Sequence, residues 1–281
     1  MKRTRALVVL VAVLAMGTGC VEEAGGLFVI HNQTLSDACE VEASRDGPAL
    51  SRGVLDIALN NRYFMFPTIE NQLKSSDDVK IAGSAGGGQG DPSDFRTEGN
   101  IVSLRGAEVS FQTPANISFA GQLPQGLFIP VSGSVPPQGI ASTGLEVINV
   151  NIGNVIRNST EFRNGTGEFD YTPGALVNVL VTVKFRGITA SGTEVESNEF
   201  TYPLDICARC LLTYSPGTLF PDSDGDGLTC DVRQAPEDLE VGAATVEPPC
   251  ILGQDAAVDC TFCRTLRPDD AEADALCDPT N

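Results

Sequence analysis

Three carboxylates at alternate positions, Asp222, Asp224 and Asp226, are followed directly by Gly227. Calcium takes roughly six to eight oxygen ligands, and this spacing with a glycine next curls a chain so that the carboxylates converge. The residue after the glycine then offers its carbonyl, and here that residue is Leu228. Arg233 stands where an EF-hand would need its bidentate glutamate, so a full EF-hand is excluded, while Asp231 is placed to close a shorter loop. The expected cofactor is Ca2+, held by Asp222, Asp224, Asp226, Leu228 and Asp231 in a structural role. The alternative is an acidic Asp-Gly turn without metal.

Nine cysteines form the second group with chemistry to offer. Setting aside Cys20, treated below, leaves Cys39, Cys207, Cys210, Cys230, Cys250, Cys260, Cys263 and Cys277. An even set in an exported chain reads as disulfides, although eight cysteines allow 105 pairings. One deduction survives that number. All but Cys39 lie at or after position 207, and an odd set cannot pair among itself, so full oxidation forces Cys39 to bond into the C-terminal segment. Cys207-Ala208-Arg209-Cys210 and Cys260-Thr261-Phe262-Cys263 have the spacing of zinc ligand pairs, but the gap between them is long for a zinc ribbon and oxidation competes.

A catalytic set does not assemble from the rest. His31 is the sole histidine and reads as a solvated or edge-strand residue. Ala82-Gly83-Ser84-Ala85-Gly86 has part of a nucleophile elbow without the strand and helix that must flank it. Asp77-Asp78 and Asp269-Asp270 are adjacent in sequence, which suits solvation better than a glycosidase pair.

The elements that must position these groups are mostly strands. Val177, Val179, Val181, Val183 and Phe185 make one face of a strand whose other face carries Asn178, Thr182, Lys184 and Arg186. Ala190-Ser191-Gly192 then turns the chain into a return strand over Thr193 to Ile206. Ala107, Val109 and Phe111 alternate in the same way, Val54 to Phe66 reads as one long strand ended by Pro67, and Leu127 to Val131 and Leu145 to Ile152 add two more. No useful helical period precedes residue 207. The expected fold is mainly β: an antiparallel immunoglobulin-like β-sandwich over 31–206, followed by a small irregular disulfide-rich tail over 207–281. From Pro221 onward the tail has 15 acidic and three basic residues, too charged to build a large core without covalent staples. Ile81 to Asn100, with its glycine run, reads as a long loop.

Composition bounds the partners. The chain has 281 residues, 42% of them apolar, and a formal charge of −19. That is apolar enough for a core and too acidic for nucleic acid, whose affinity comes from lysine and arginine displacing counterions. At the N-terminus Lys2, Arg3 and Arg5 precede the apolar run Ala6 to Met16, then Gly17, Thr18, Gly19 and Cys20. This is the pattern of a signal peptide over 1–19, its apolar run being well short of the roughly 20 residues that span a bilayer.

Gly19 followed by Cys20 resembles the bacterial lipoprotein lipobox, although Gly17 stands where the family most often has a branched aliphatic residue. The resemblance implies cleavage before Cys20, lipidation of Cys20, and a tether over 20–30. Val21 after the cysteine is similar to the outer-membrane address of that family rather than the inner-membrane one. Residues 222–231 resemble the excalibur calcium motif of bacterial extracellular proteins, and also a thrombospondin type 3 loop, with Asp231 where excalibur has glutamate. Excalibur implies a bond from Cys230 to Cys207 or Cys210. In style the chain resembles envelope lipoproteins of predatory and soil Gram-negative bacteria such as myxobacteria. Two functions are expected from these readings. The first is a non-catalytic outer-membrane lipoprotein, membrane-held at Cys20, with a protein or polysaccharide partner. The second is a carboxylate-dependent hydrolase acting on an extracellular polymer.

Overall fold

A computed structural model describes residues 26–75, 98–170, 175–214 and 249–260, together with the backbone of 220–221 and 228–229. The signal peptide, Cys20, most of the glycine-rich loop, the acidic calcium candidates and the segment after 260 lie outside the described residues.

The described chain is mainly β. Its strands are β1 (Leu27–Gln33), β2 (Ala49–Leu50), β3 (Gly53–Asp56), β4 (Tyr63–Met65), β5 (Pro67–Asn71), β6 (Val102–Gln112), β7 (Leu127–Val135), β8 (Ile140–Ser142) and β9 (Leu145–Ile148). After helix α1 (Val150–Arg157) come β10 (Leu176–Thr189), β11 (Glu194–Glu196), β12 (Phe200–Cys207), β13 (Leu212–Thr213), β14 (Phe220–Pro221), β15 (Leu228–Thr229) and β16 (Val258–Asp259).

The larger sheet runs β3-β12-β10-β6-β7, with β11 also against β10, and the smaller runs β2-β1-β5-β8. Every pairing in them is antiparallel except β3 with β12. The alternation in β10 is the organising feature: Val177, Val179, Val181, Val183 and Phe185 are all buried, as the sequence predicts. β6 meets it with Ala107, Val109 and Phe111, and both sheets feed one apolar cluster that includes Val29 and Ile69 of the smaller sheet. The predicted turn is present, with Gly192 at φ 91°, in the left-handed region that suits glycine, and its N–H donating to the Thr189 carbonyl at 2.9 Å.

The return strand is broken. Residues 197–199 leave the ladder between β11 and β12, and the Asn198 side chain accepts from the Val29 N–H of the smaller sheet at 2.7 Å. The break therefore ties the two sheets together at one end. On the outer face Arg186 pairs with Glu108 at 2.8 Å and Lys184 pairs with Glu196, exposed contacts that each add little stability.

Two expected strands divide. The stretch 54–66 is β3, a turn and β4, because the Asp56 carboxylate and carbonyl draw Ala58, Leu59 and Asn60 N–H groups into a turn. The stretch 145–152 ends as a strand at Ile148, and α1 starts two residues later. Asn149 is its N-cap, its side chain accepting from Asn151 and Ile152 N–H at 3.0 and 3.1 Å. The apolar period changes there from two to four, and Ile152 and Ile156 face the core. Gly153 sits so close to Asn61 that a Cβ would lie 1.8 Å from its carbonyl oxygen. Asn149→Ala is expected to lower stability by about 1 kcal/mol in urea unfolding, the usual worth of such a cap.

Candidate functional site

At one edge of the larger sheet the segment 249–260 crosses β3 and β4 as a strap. Asp56 N–H donates to the Gly253 carbonyl at 2.9 Å, and Asp255 N–H donates to Val54 carbonyl at 3.0 Å. The buried Gln254 side chain does what a neighbouring strand would do. Its Oε1 accepts from Phe64 N–H at 2.9 Å and its Nε2 donates to Phe64 carbonyl at 2.7 Å. Further on, Val258 N–H donates to Leu211 carbonyl, and β16 lies parallel to β13. Part of the expected tail is thus woven into the β-domain.

A disulfide closes this arrangement. Cys39 and Cys250 are at bonding distance, with Cα atoms 5.3 Å apart across a sequence separation of 211. This places Cys39 against the C-terminal segment. Cys207 and Cys210 form the second pair, which corrects the expected bond from either of them to Cys230 and leaves neither sulfur for zinc. The reason is local. Asp56 accepts from the N–H groups of Arg209 at 2.8 Å and Leu211 at 3.0 Å, and Arg209 takes φ 58°, so the chain doubles back over the two cysteines. Cys260 is buried. Cys230, Cys263 and Cys277 lie outside the described residues, as do Asp222, Asp224, Asp226 and Asp231. Of the calcium candidates the backbone of Leu228 is described, and it pairs with Pro221 in a two-stranded ribbon that brackets 222–227.

Between the strap and the 33–39 loop lies a cleft of about 560 Å³, within the range of small-ligand sites. Leu35, Leu50, Phe66, Pro249 and Ile251 give it apolar, half-buried walls, and the Cys39–Cys250 bond lies in its lining. Asp37 and Asp255 are its charged residues.

Asp255 is held firmly. Its Oδ1 accepts from Val54 N–H at 2.7 Å, the Tyr63 hydroxyl lies 2.9 and 3.0 Å from its two oxygens, and Gln254 Nε2 donates to Oδ2 at 3.2 Å. Burial nevertheless outweighs these bonds and pushes the carboxyl above its ordinary range. Tyr63 is pushed well up, first by burial and then by the Asp255 charge. Its hydroxyl lies over Gly53, where a Cβ would come within 2.1 Å of it. Asp56 is likewise raised by burial, against its backbone donors. His31 sits in β1 with Nε2 3.4 Å from Thr68 Oγ1.

These shifts set a pH profile. Asp56 and Asp255 bind protons more readily folded than unfolded, so their contribution to stability grows as pH falls through their raised values. Glu161 and Glu196 act oppositely. Burial raises Glu161, but hydrogen bonds from Ser118 together carry it lower; the Lys184 hydrogen bond lowers Glu196. What they add is present above the ordinary glutamate value and lost as pH falls through their lowered values. Thermal midpoints are expected to rise as pH falls from neutrality through the raised range of Asp56 and Asp255. A steady rise toward pH 8 would contradict the assignment.

Asp56, Tyr63, Gln254 and Asp255 were not singled out from the sequence. No local spacing marks them, because their partners are distant: the Asp255 bond to Val54 spans 201 residues. Among the described residues no group of three His, Cys, Asp or Glu side chains is placed to hold a metal. No helix among them is long and apolar enough to cross a membrane. No family model and no curated protein matches the chain.

Proposed function

We propose that this protein is an exported, lipid-anchored envelope protein that binds a ligand without transforming it, and that the cleft beside the Cys39–Cys250 bond is its binding seat. The observation that carries the reading is the use made of the buried carboxylates. Asp56 serves backbone N–H groups and Asp255 serves Val54, Tyr63 and Gln254. A general acid or nucleophile needs its oxygens directed at substrate, whereas these are engaged in holding the strap and the turn. The reading takes the two large sheets as halves of an immunoglobulin-like sandwich, supported by their common apolar cluster.

Anchoring is assigned to Cys20, and Val21 after it supports an outer-membrane address; multiple acyl chains make such attachment stable. Calcium is proposed for Asp222, Asp224, Asp226, Leu228 and Asp231, where it would offset the like charges of the tail. The alternate spacing of the three carboxylates ahead of Gly227 supports this.

Labelled fatty acid is expected to enter the wild-type chain and to be lost in Cys20→Ser. Unchanged labelling or unchanged membrane fractionation in that variant would sink the anchor. Calorimetric titration with calcium is expected to give saturable heat that disappears in Asp224→Ala/Asp226→Ala, and no heat in the wild type would remove the metal. The second reading, a carboxylate-dependent hydrolase, draws on the raised Asp255 in the cleft. Release of reducing ends from an extracellular polysaccharide, abolished by Asp255→Asn, would favour it over binding.

A further inference from the structure

We propose that the cleft takes an amphipathic cation, an ammonium group carried on an apolar body. The inference rests on the cleft being the binding seat and names the chemistry it selects. The described residues that line it include Asp37 and Asp255 but no lysine, arginine or histidine. A concave site with one sign of charge and low-dielectric walls concentrates ligands of the opposite sign. The negative balance of the whole chain acts in the same direction.

The walls decide the rest of the ligand. Leu35, Leu50, Phe66, Pro249 and Ile251 leave apolar surface half-exposed around the two carboxylates, so a bare inorganic cation would leave that surface wet. An apolar body removes it from water, at roughly 25 cal/mol per Å² of surface covered. An anion of the same shape meets Asp37 and Asp255 with like charge. A neutral one covers the walls but leaves the carboxylates without a counter-charge.

Asp255 is pre-oriented for such a ligand. Val54, Tyr63 and Gln254 make two contacts to each of its oxygens and fix its rotamer. An ammonium group in the cleft would therefore gain from the charge of a fixed carboxylate rather than from a new hydrogen bond to it. Asp37 stands on the opposite, exposed loop, outside this hydrogen-bond network, so its charge can be changed without disturbing the strap.

The test uses the exported full chain carrying Cys20→Ser, which needs no detergent, and three probes of one shape: benzylammonium, benzyl alcohol and phenylacetate. Amide shifts are followed by nuclear magnetic resonance. Benzylammonium is expected to give saturable shifts at Leu35, Ser36, Ile251 and Ala256, with affinity about tenfold above benzyl alcohol, and phenylacetate is expected to give none. Asp37→Asn is expected to weaken benzylammonium several-fold and Asp37→Lys to abolish its shifts, both leaving benzyl alcohol unaffected. Equal binding of alcohol and ammonium, or tighter binding of phenylacetate, would overturn the cation while leaving the cleft as the seat. Shifts from none of the three at these amides would overturn both.

Discussion

Replacing Asp56 with alanine is expected to destabilise the protein by about 3–5 kcal/mol, since orphaning a buried N–H costs about 1–3 kcal/mol. The carboxylate accepts from Ala58, Arg209 and Leu211 N–H, the last two more than 150 residues away in sequence. Removing it strands these donors at the joint between β3 and the turn that follows β12. Some of the loss is returned, because the deleted charge is itself buried and its carboxyl pushed upward. Asp56→Asn is expected to lose nearly as much, since its NH2 group would face N–H donors. Urea unfolding should show a lower midpoint with unchanged slope. A loss below about 1 kcal/mol in the alanine variant would contradict the role assigned to this residue.

Cys39→Ser/Cys250→Ser is expected to have a comparable effect by a different route. The bond spans a sequence separation of 211, and in the chain-entropy account closing so long a loop limits the unfolded ensemble by about 5 kcal/mol, an upper figure. A measured loss of about 2–5 kcal/mol is expected. The strap should stay hydrogen-bonded through Gln254 and Asp255 while its start at Pro249 and Cys250 is released. Limited proteolysis should therefore cut the double variant near residues 249–252 before the rest of the β-domain. Wild-type stability with an unchanged digestion pattern would mean that the bond is not what holds the cleft wall.

What the sequence makes legible follows from the range of the interactions. The buried face of β10 and the Gly192 turn depend on residues a few positions apart, so period and turn chemistry identify them. The clamp is legible for another reason: Cys39 stands alone before residue 207, and parity sends it to the C-terminal segment. Its partner among the later cysteines is not legible, because the strap that presents Cys250 is positioned by Gln254 on Phe64 and Asp255 on Val54. Asp56 looks like an ordinary polar residue at a strand end until the turn after β12 is folded against it. The division of 54–66 has the same cause. At α1 the signal was present in Asn149 and the four-residue spacing of Ile152 and Ile156, but the preceding alternation of Leu145 and Val147 runs into it and masks the change of period.

In this proposal the Cys39–Cys250 bond clamps the strap 249–260 to the β-domain of an exported, lipid-held protein and forms a binding cleft. Peptide mapping by mass spectrometry of the wild-type protein, isolated from envelope membranes under non-reducing conditions, tests this most directly. The expected result is a fragment joining the Cys39 peptide to the Cys250 peptide, together with an N-terminal fragment that begins at Cys20 and carries diacylglycerol and an acylated amine. Cys39 recovered as a thiol or joined to another cysteine, or Cys20 recovered without lipid, would contradict it.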